Sequence, residues 1–308
     1  MSRIFDALQR SGVEQTGIEH ADMLSVATEV FEAARAHRLT DQAAAGQPVV
    51  TQAPLATTPA AGAKTPEQKK AADLRAEFPC LEISATPASR LVFLTAPDSL
   101  AAEKFRFLGV RLRHLQQSRP LKKVLITSTI PEEGKSLVSA NLTGVLAQRS
   151  QKVLLIEGDL RRPTLAQQFG LGRLAGLGDW LKGDRRTITN IYRLDGPGFW
   201  LMPAGDPPTN PLELMQSGRL SQLMEGLVTL FDWIIVDSPP LLPLADTTVW
   251  ARLTDGTLLI TREGKTQKRQ LQRGLEILKK SDLLGVVLNG STTSDSENYY
   301  QRYSPPQK

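Results

Sequence analysis

The chain has 308 residues and a formal net charge of +5, and its single cysteine excludes an internal disulfide framework. No apolar run reaches the roughly 20 residues of a membrane-spanning helix, and the start, MSRIFDALQR, lacks the apolar core of a signal peptide. No basic stripe is interleaved with aromatic residues as in nucleic-acid-binding proteins. We therefore expect a cytoplasmic protein that does not bind nucleic acid and reaches a membrane only through a partner.

Two regions precede the predicted domain. Residues 1–38 carry apolar side chains at helical spacing, such as Ile4, Phe5 and Leu8, and are predicted to form a short helical segment. Residues 40–66 are rich in Ala, Thr, Gln, Pro and Gly, so they bury too little surface to offset the entropy of ordering. We interpret residues 39–90 as a flexible linker and a lead-in, with no definite structure assigned to 67–90.

Strands and helices are predicted to alternate over residues 91–291. The apolar runs predicted as strands are RLVFLT (90–95), KKVLITS (122–128), KVLLIEGD (152–159), FWLMPAG (199–205), WIIVDSP (233–239), GTLLITR (256–262) and LGVVLNG (284–290). Helices are predicted at 99–117, with Ser99 or Asp98 as N-cap, and at 135–149. Runs that are apolar without alternation are typical of strands buried on both faces. The pattern predicts an α/β fold with a doubly wound, mostly parallel sheet, followed by a flexible tail at 292–308.

The first chemical motif, TSTIPEEGKS at 127–136, lies between a predicted strand and a predicted helix. This is the context of a P-loop, in which backbone N–H groups at a helix start surround phosphate oxygens. Lys135 would reach the β- and γ-phosphates, and the Ser136 hydroxyl would bind Mg²⁺. Thr129 stands where the standard pattern has its first glycine, so a chance Gly-Lys-Ser at a helix start is the alternative.

Two acidic strand ends follow the P-loop in the chain. Asp237 ends the run WIIVD, and in VLLIEGDLRR the carboxylates Glu157 and Asp159 precede Arg161 and Arg162. Carboxylates at this edge of a parallel sheet can hold Mg²⁺ or accept a proton, and an arginine there can stabilise phosphate charge. The alternatives are a loop-capping Asp237 and a structural ion-pair loop, but the order of the three motifs favours the functional interpretation.

Together these motifs resemble the bacterial tyrosine kinases, a branch of the deviant Walker P-loop ATPases, over roughly residues 91–290. The resemblance implies an autokinase that uses ATP and Mg²⁺, with catalytic residues Lys135, Glu157, Asp159 and Asp237, of which Glu157 aligns or deprotonates the tyrosine hydroxyl. The implied Mg²⁺ ligands are Ser136, Asp159 and Asp237. The implied nucleotide contacts are Thr129, Pro131, Glu132, Glu133, Gly134, Lys135, Ser136, Leu137, Arg161 and Asn289.

Further stretches are similar to the same family. MPAG at 202–205 and PTNPLEL at 208–214 resemble its segment between the two acidic motifs, and Asn289 resembles a residue beside the adenine base. Glu103 and Arg106 resemble a helix that packs between subunits of a ring oligomer. The alternatives are a turn residue for Asn289 and pairing within one helix for Glu103 and Arg106.

The tail holds three of the four tyrosines, Tyr299, Tyr300 and Tyr303. In the family such a cluster is the autophosphorylation site, presented to a neighbouring subunit. Each phosphate adds about −1.5 to −2 charges, so several in one tail would repel each other and loosen a ring. The alternative is a tail that holds tyrosines by chance.

Three positions depart from the family pattern. Glu157 stands where Asp is usual, Glu132 where Gly is frequent, and Gly109 where the inter-subunit helix has a second arginine. Glu157 moves its carboxylate by one methylene, and Glu132 would be strained at a positive φ and adds negative charge near the phosphates. We expect these departures to reduce kinase activity more than nucleotide binding.

The resemblance also implies a role in exopolysaccharide or capsule biosynthesis. The family works beside a membrane-embedded chain-length regulator, a separate protein that switches the kinase on and recruits it to the inner face of the membrane. Two alternatives remain: a partition- or septum-type ATPase, and a nucleotide-sensing partner without catalysis. The first would form ATP-dependent dimers without phosphotyrosine, and the second would bind nucleotide and leave its tyrosines unmodified.

Overall fold

The computed structural model describes residues 78–148, 150–183 and 188–291. The predicted N-terminal helices, most of the predicted linker, and the tail with Tyr299, Tyr300 and Tyr303 lie outside the described residues. The predicted division of the chain at 38, 90 and 291 therefore stays a prediction.

The described chain forms an eight-stranded sheet in the order β1-β4-β5-β3-β6-β2-β7-β8. The strands are β1 Cys80–Leu81, β2 Lys123–Ser128, β3 Val153–Glu157, β4 Tyr192–Leu194, β5 Trp200–Met202, β6 Trp233–Asp237, β7 Gly256–Arg262 and β8 Leu283–Asn289. Neighbouring strands are parallel except β4 and β5, which are antiparallel. The predicted doubly wound, mostly parallel sheet is confirmed.

Helices cover both faces of this sheet. Within the described ranges they are α1 Val92–Thr95, α2 Leu100–Ser118, α3 Lys135–Ala147, α4 Leu165–Gln168, α5 Leu177–Lys182, α6 Pro211–Gln216, α7 Arg219–Leu230, α8 Asp246–Leu253 and α9 Lys268–Ile277. The predicted N-cap of α2 is confirmed at Ser99, whose Oγ accepts a hydrogen bond of 3.2 Å from the Ala102 N–H. None of the described helices combines the length and apolar character that crossing a bilayer requires.

The central strands are buried on both faces because their side chains alternate between two apolar layers. In β2, Val124 and Ile126 pack into the layer under α1, α2 and α3, while Leu125 packs into the layer under α7 and α8. Full burial of such a side chain contributes about 1.5–3 kcal/mol. These unalternating apolar runs therefore fix the middle of the sheet and the position of the loops that follow each strand.

The prediction of a strand at 90–95 was wrong, because this segment forms α1. Phe93 in α1 is buried against Gly144 of α3, where a Cβ atom would overlap the phenyl ring. The Asn141 side chain of α3 also holds this segment, since its Nδ2 donates to the Arg90 carbonyl at 3.0 Å. A short apolar run lacks the length to separate a buried helical turn from a strand, and here packing on α3 decides.

Two short strands were not predicted. β1 lies in the lead-in, pairs parallel with β4, and brings residues before 91 into the sheet. β4 pairs antiparallel with β5 through two residue pairs. Strands of two or three residues show no periodicity in the sequence, so their pairing partner determines them.

Candidate active site

The P-loop and both acidic strand ends meet at one edge of the sheet. β3, β6 and β2 are consecutive neighbours, so the loop after β2 lies beside the ends of β6 and β3. Glu157 and Asp237 are direct partners in the pairing of β3 with β6. Ligands bind at this carboxyl edge in open α/β sheets.

The P-loop turns into α3 at Gly134, whose φ of +95° lies in the left-handed region that favours glycine. A Cβ atom there would also overlap the Asn289 amide. The absence of a side chain lets Asn289 at the end of β8 donate from Nδ2 to the Glu133 carbonyl at 2.9 Å. Asn289, predicted beside the base, thus ties β8 to the P-loop.

The two glutamates of the P-loop have different surroundings. Glu133 is buried, and its carboxylate accepts the Ile130 N–H at 2.9 Å and the Thr266 hydroxyl. Glu132 adopts the left-handed conformation, with φ +63°, and its exposed carboxylate forms an ion pair with Lys265 at 2.6 Å. The hydrogen bond from Lys265, assisted by its charge, lowers the pKa of Glu132. The loop between β7 and α9 therefore braces the P-loop through both glutamates.

Lys135 lies at the centre of the charged groups. Its Nζ is 3.3 Å from Asp159 Oδ2 and donates to Ser136 Oγ at 3.3 Å. Burial lowers the pKa of Lys135, but the charges of Asp237 and Asp159 outweigh it and the net shift is upward. Lys135 is therefore positively charged at neutral pH.

Hydrogen bonds hold the carboxylates of Asp237 and Asp159 in place. Asp237 is buried and accepts the Ser139 hydroxyl at 3.2 Å, and burial raises its pKa although Lys135 and Ser136 oppose the shift. Asp159 Oδ1 accepts from the backbone N–H groups of Arg161 and Arg162 at 3.3 and 3.0 Å. Both side chains are thus fixed beside Lys135.

Glu157 holds two loops together. One of its oxygens accepts the N–H groups of Thr164 and of Leu165, the latter at 2.6 Å, and the other accepts the Ala204 N–H at 3.0 Å. Burial raises the pKa of Glu157, although these backbone bonds oppose the shift. Its carboxylate therefore joins the loop after β3 to the loop after β5.

Arg161 forms a two-pronged ion pair with Asp246 at the start of α8. Its Nε and Nη2 donate to the two carboxylate oxygens at 2.7 and 3.1 Å. The Asp246 side chain is only 2% exposed, whereas that of Arg161 is 37% exposed. Asp246 was missed because its partner lies 85 positions away in the chain and is set by the fold.

The remaining predicted contacts lie along the same loop. Thr129 is buried beneath it, where its methyl group faces Gly274 of α9, and Pro131 is exposed on the loop surface. Leu137, in the first turn of α3, lines a cavity of about 770 Å³ together with Gly134, Asn289 and Arg262. This cavity is large enough for a small organic ligand.

The side chains around Lys135 offer oxygen atoms as metal ligands. Oxygen ligands fit Mg²⁺ better than they fit a metal that prefers nitrogen or sulfur ligands. Ser136 supplies a hydroxyl, and Asp159 and Asp237 supply carboxylates, which are the hard oxygen ligands of Mg²⁺. Among the described residues, no group of three or more His, Cys, Asp or Glu side chains is placed to bind a metal.

Glu103 and Arg106 pair with each other on the surface of α2 at 2.7 Å, the alternative that the spacing allowed. Arg106 also donates to the Pro97 carbonyl at 2.6 Å. Gly109 is buried in the same helix, where a Cβ atom would lie 3.0 Å from Val145 Cγ1 of α3. Position 109 therefore faces the core, which explains why no arginine stands there.

Comparisons with known proteins find bacterial tyrosine kinases. The chain is 35% identical over 211 residues to tyrosine-protein kinase YwqD of Bacillus subtilis, covering 68% of this chain and 89% of that protein. It is 30% identical over 209 residues to the putative tyrosine-protein kinase CapB of Staphylococcus aureus, 67% of this chain and 92% of the relative. A match to tyrosine-protein kinase etk of Escherichia coli, 32% identical over 66% of this chain, spans only 28% of that longer protein.

Solved structures of kinase domains match as well. The chimerical protein CapA2B2 superimposes with a TM-score of 0.63 at 27% identity, over 73% of this chain and 99% of that chain. The kinase domain of the Escherichia coli tyrosine kinase ETK gives a TM-score of 0.62 at 30% identity, over 66% of this chain and 82% of that chain. No family model matches the chain.

Proposed function

We propose, since this chain belongs to the bacterial tyrosine kinase family, that it transfers the γ-phosphoryl group of ATP to tyrosines of its own tail. The observation that carries the proposal is the convergence of Lys135 with Ser136, Asp159 and Asp237 at one sheet edge. In the reaction, a phenolic oxygen bonds to the γ-phosphorus while the bond to the β–γ bridging oxygen breaks. ADP leaves, and the phenolic proton is released to solvent.

Lys135 is proposed to stabilise charge on the transferred group, because it is positively charged and its Nζ lies among the acidic side chains. Ser136, Asp159 and Asp237 are proposed to hold Mg²⁺, which would offset negative charge on the phosphate oxygens. The 770 Å³ cavity beside Asn289 and Leu137 is proposed for the base and sugar. Arg161 is a proposed nucleotide contact that must first leave Asp246.

Glu157 is proposed to align the reacting groups and not to take the phenolic proton. Three backbone N–H groups engage its two oxygens. These bonds hold Thr164 in place, and the Thr164 hydroxyl donates to Ser136 Oγ at 3.4 Å. The extra methylene of glutamate relative to aspartate thus serves a carboxylate that orders the loops around the transfer site.

The acceptors are proposed to be Tyr299, Tyr300 and Tyr303, modified in trans within a homo-oligomer whose subunits meet partly through α2 with Glu103 and Arg106. The pairing of these two side chains on an exposed helix surface is compatible with such an interface. In the cell, the kinase would act in exopolysaccharide or capsule biosynthesis, recruited from the cytoplasm to the membrane by a separate chain-length regulator. The similarity to bacterial tyrosine kinases supports this setting.

The test is intact-mass and phosphopeptide analysis of the purified full chain after incubation with Mg-ATP. We expect phosphate on peptides from 292–308, and we expect it to disappear in Lys135→Ala and in the Tyr299/Tyr300/Tyr303→Phe variant. Reactions are repeated with the cytoplasmic segment of a candidate activator. Nucleotide binding without any tyrosine phosphate in either condition would support the ATPase or the nucleotide-sensing alternative instead.

A further inference from the structure

The carboxylates Glu157 and Asp159 at the end of β3 are separated by a single residue, Gly158. We propose that Trp250 of α8 is a positioning residue for this pair. It holds the backbone of Gly158 so that the Asp159 carboxylate faces Lys135 and can bind Mg²⁺. The inference rests on the proposed function, because it names the residue that supports a proposed Mg²⁺ ligand.

Trp250 contacts Gly158 both by packing and by a hydrogen bond. The indole Nε1 donates to the Gly158 carbonyl at 3.2 Å. A Cβ atom on Gly158 would lie only 2.7 Å from Trp250 Nε1 and 2.8 Å from its Cε2, so a larger residue would push the ring away. The φ of Gly158 is outside the left-handed region, so the indole ring is what requires a glycine here.

The two peptide groups that flank the Gly158 Cα atom are each tied to a different element. The Gly158 N–H donates to the Asp237 carbonyl of β6 at 2.7 Å, and the Gly158 carbonyl accepts from Trp250 of α8. Asp159 follows the second peptide group directly, and its Oδ2 lies 3.3 Å from Lys135 Nζ. Rotation of that peptide group would therefore move the Asp159 carboxylate away from Lys135.

Burial makes the bond from Trp250 difficult to replace. Trp250 is fully buried, in the apolar layer that also contains Ile156, Leu160 and Val236. A leucine or phenylalanine could fill this layer, but neither has a donor for the Gly158 carbonyl. Because a buried carbonyl without a partner is costly, loss of the indole N–H favours rearrangement of the loop.

α8 is itself fixed to the strand that leads into the P-loop. The Pro239 carbonyl, after β6, accepts the Thr247 hydroxyl of α8 at 2.7 Å and the Thr127 hydroxyl of β2 at 2.8 Å. Both hydroxyl groups belong to buried residues. The position of Trp250 relative to the P-loop is therefore set by bonds within the core.

Asp246, one turn before Trp250 in α8, holds the same loop at a second point. It pairs with the side chain of Arg161, whereas Trp250 holds the backbone of Gly158. When Arg161 turns toward a nucleotide, as proposed above, its contact with α8 is lost. The bond from Trp250 is then the one that keeps Asp159 in place.

Trp250→Phe in the full chain removes the indole N–H and keeps an aromatic ring. Trp233→Phe is the matched control, because Trp233 is also fully buried and its Nε1 donates to Gln151 Oε1 at 3.3 Å. Trp233 begins β6, at the opposite end of that strand from Asp237. Both variants lose one indole hydrogen bond, but only Trp250→Phe loses it beside Asp159.

The first measurement is binding of a fluorescent, non-hydrolysable ATP analogue over a titration of Mg²⁺. We expect Trp250→Phe to weaken the apparent affinity for Mg²⁺ about tenfold, as is common when a group that orients a metal ligand is removed. Affinity for the analogue in chelator should equal that of the parent chain, because the P-loop itself is unchanged. Trp233→Phe should match the parent chain in both conditions.

The second measurement is hydrogen exchange of the chain without metal or nucleotide, followed by mass spectrometry. We expect peptides that cover 157–164 to exchange faster in Trp250→Phe than in Trp233→Phe, because the loop loses its bond to α8. Gly158→Ala should also weaken the apparent affinity for Mg²⁺, since its methyl group would displace the indole ring. Combined with Trp250→Phe, it should weaken that affinity less than the product of the two single effects.

The outcomes separate the inference from the proposed function, because neither measurement requires phosphate transfer. A loss of Mg²⁺ affinity in Trp250→Phe alone supports the positioning role even if no chain forms phosphotyrosine, a result that would count against the kinase activity only. Equal Mg²⁺ dependence and equal exchange of 157–164 in the two tryptophan variants would overturn the inference and leave the kinase intact. Binding of the analogue to the parent chain that is independent of Mg²⁺ would overturn it as well.

Discussion

Individual charges at the site are held at a cost to the stability of the folded chain. Asp237 and Glu157 are buried, and burial raises the pKa of each carboxyl group. Compared with the unfolded chain, the folded chain favours the protonated form of both groups. Their charged forms therefore oppose folding at neutral pH. A function that needs charge beside phosphates accounts for carboxylates in such positions.

Replacing Asp237 by Asn is predicted to raise the free energy of unfolding in chelator without nucleotide at neutral pH, because burial of the charged carboxylate opposes folding. The same change should abolish the gain in stability that Mg-ATP gives to the parent chain. The measurement is denaturant unfolding by circular dichroism, with and without Mg-ATP. Asp206→Asn is the control, since Asp206 is exposed and its ion pair with Arg173 lowers its pKa.

The pH dependence of this difference has a definite sign. The pKa of Asp237 is higher in the folded than in the unfolded chain, so the stability from its protonated form is present below the unfolded pKa. That stability is lost as the pH rises through the folded pKa. The advantage of Asp237→Asn should therefore shrink as the pH falls from 7 toward 3.8, the ordinary pKa of an aspartic acid side chain. An advantage that grows on acidification would contradict the assignment.

For individual residues, the sequence predicts those that belong to a local motif. It misses the hydrogen-bond partners that are distant in the chain. Lys135, Ser136 and Asp237 were predicted from the P-loop and the acidic strand end. The bond between Thr266 and Glu133 joins residues 133 positions apart, and no local pattern indicates it. The backbone bonds of Glu157 were likewise not predictable, because they depend on where the loops after β3 and β5 run.

Packing between elements determines where the P-loop helix lies. Glycines at the contact faces of α3 and α2 let both helices approach their neighbours closely, Gly144 against Phe93 of α1 and Gly109 against Val145. The helical spacing of apolar residues predicts α2 and α3 from the sequence, whereas α1 depends on contacts that only the folded chain provides. This is why long helices were predicted correctly and the four-residue helix was taken for a strand.

The same substitution at two helical glycines is predicted to have opposite effects. Gly144→Ala should lower the free energy of unfolding by about 1–3 kcal/mol, because the new methyl group displaces the buried Phe93 ring. Gly226→Ala should raise it by about 0.5–1 kcal/mol, because alanine favours an exposed helix interior and meets no neighbour. Urea unfolding of both variants measures this, and a stabilising Gly144→Ala would contradict the packing of α1 on α3.

The architecture of the sheet arranges the chemistry of the whole molecule. Parallel order brings the loops after β2, β6 and β3 to one edge, as the alternation of strands and helices predicted. The sequence does not give the strand order, since any of several right-handed arrangements satisfies the same pattern. Strand order is what places the P-loop after β2 beside the acidic end of β6, with the acidic end of β3 next to it.

A mixing experiment tests the central claim most directly, that the catalytic site of one copy modifies the tail of another. Full-length Lys135→Ala, with intact tyrosines but no catalytic lysine, is combined with the full-length Tyr299/Tyr300/Tyr303→Phe variant, which has the lysine but no tail acceptor. We predict that Mg-ATP produces phosphotyrosine in 292–308 of the Lys135→Ala chain only when both are present, detected by phosphopeptide mass spectrometry. If the unaltered chain phosphorylates itself but the Lys135→Ala chain in the mixture carries no phosphate, transfer between copies is contradicted. If neither the mixture nor the unaltered chain acquires phosphate, the kinase assignment is contradicted.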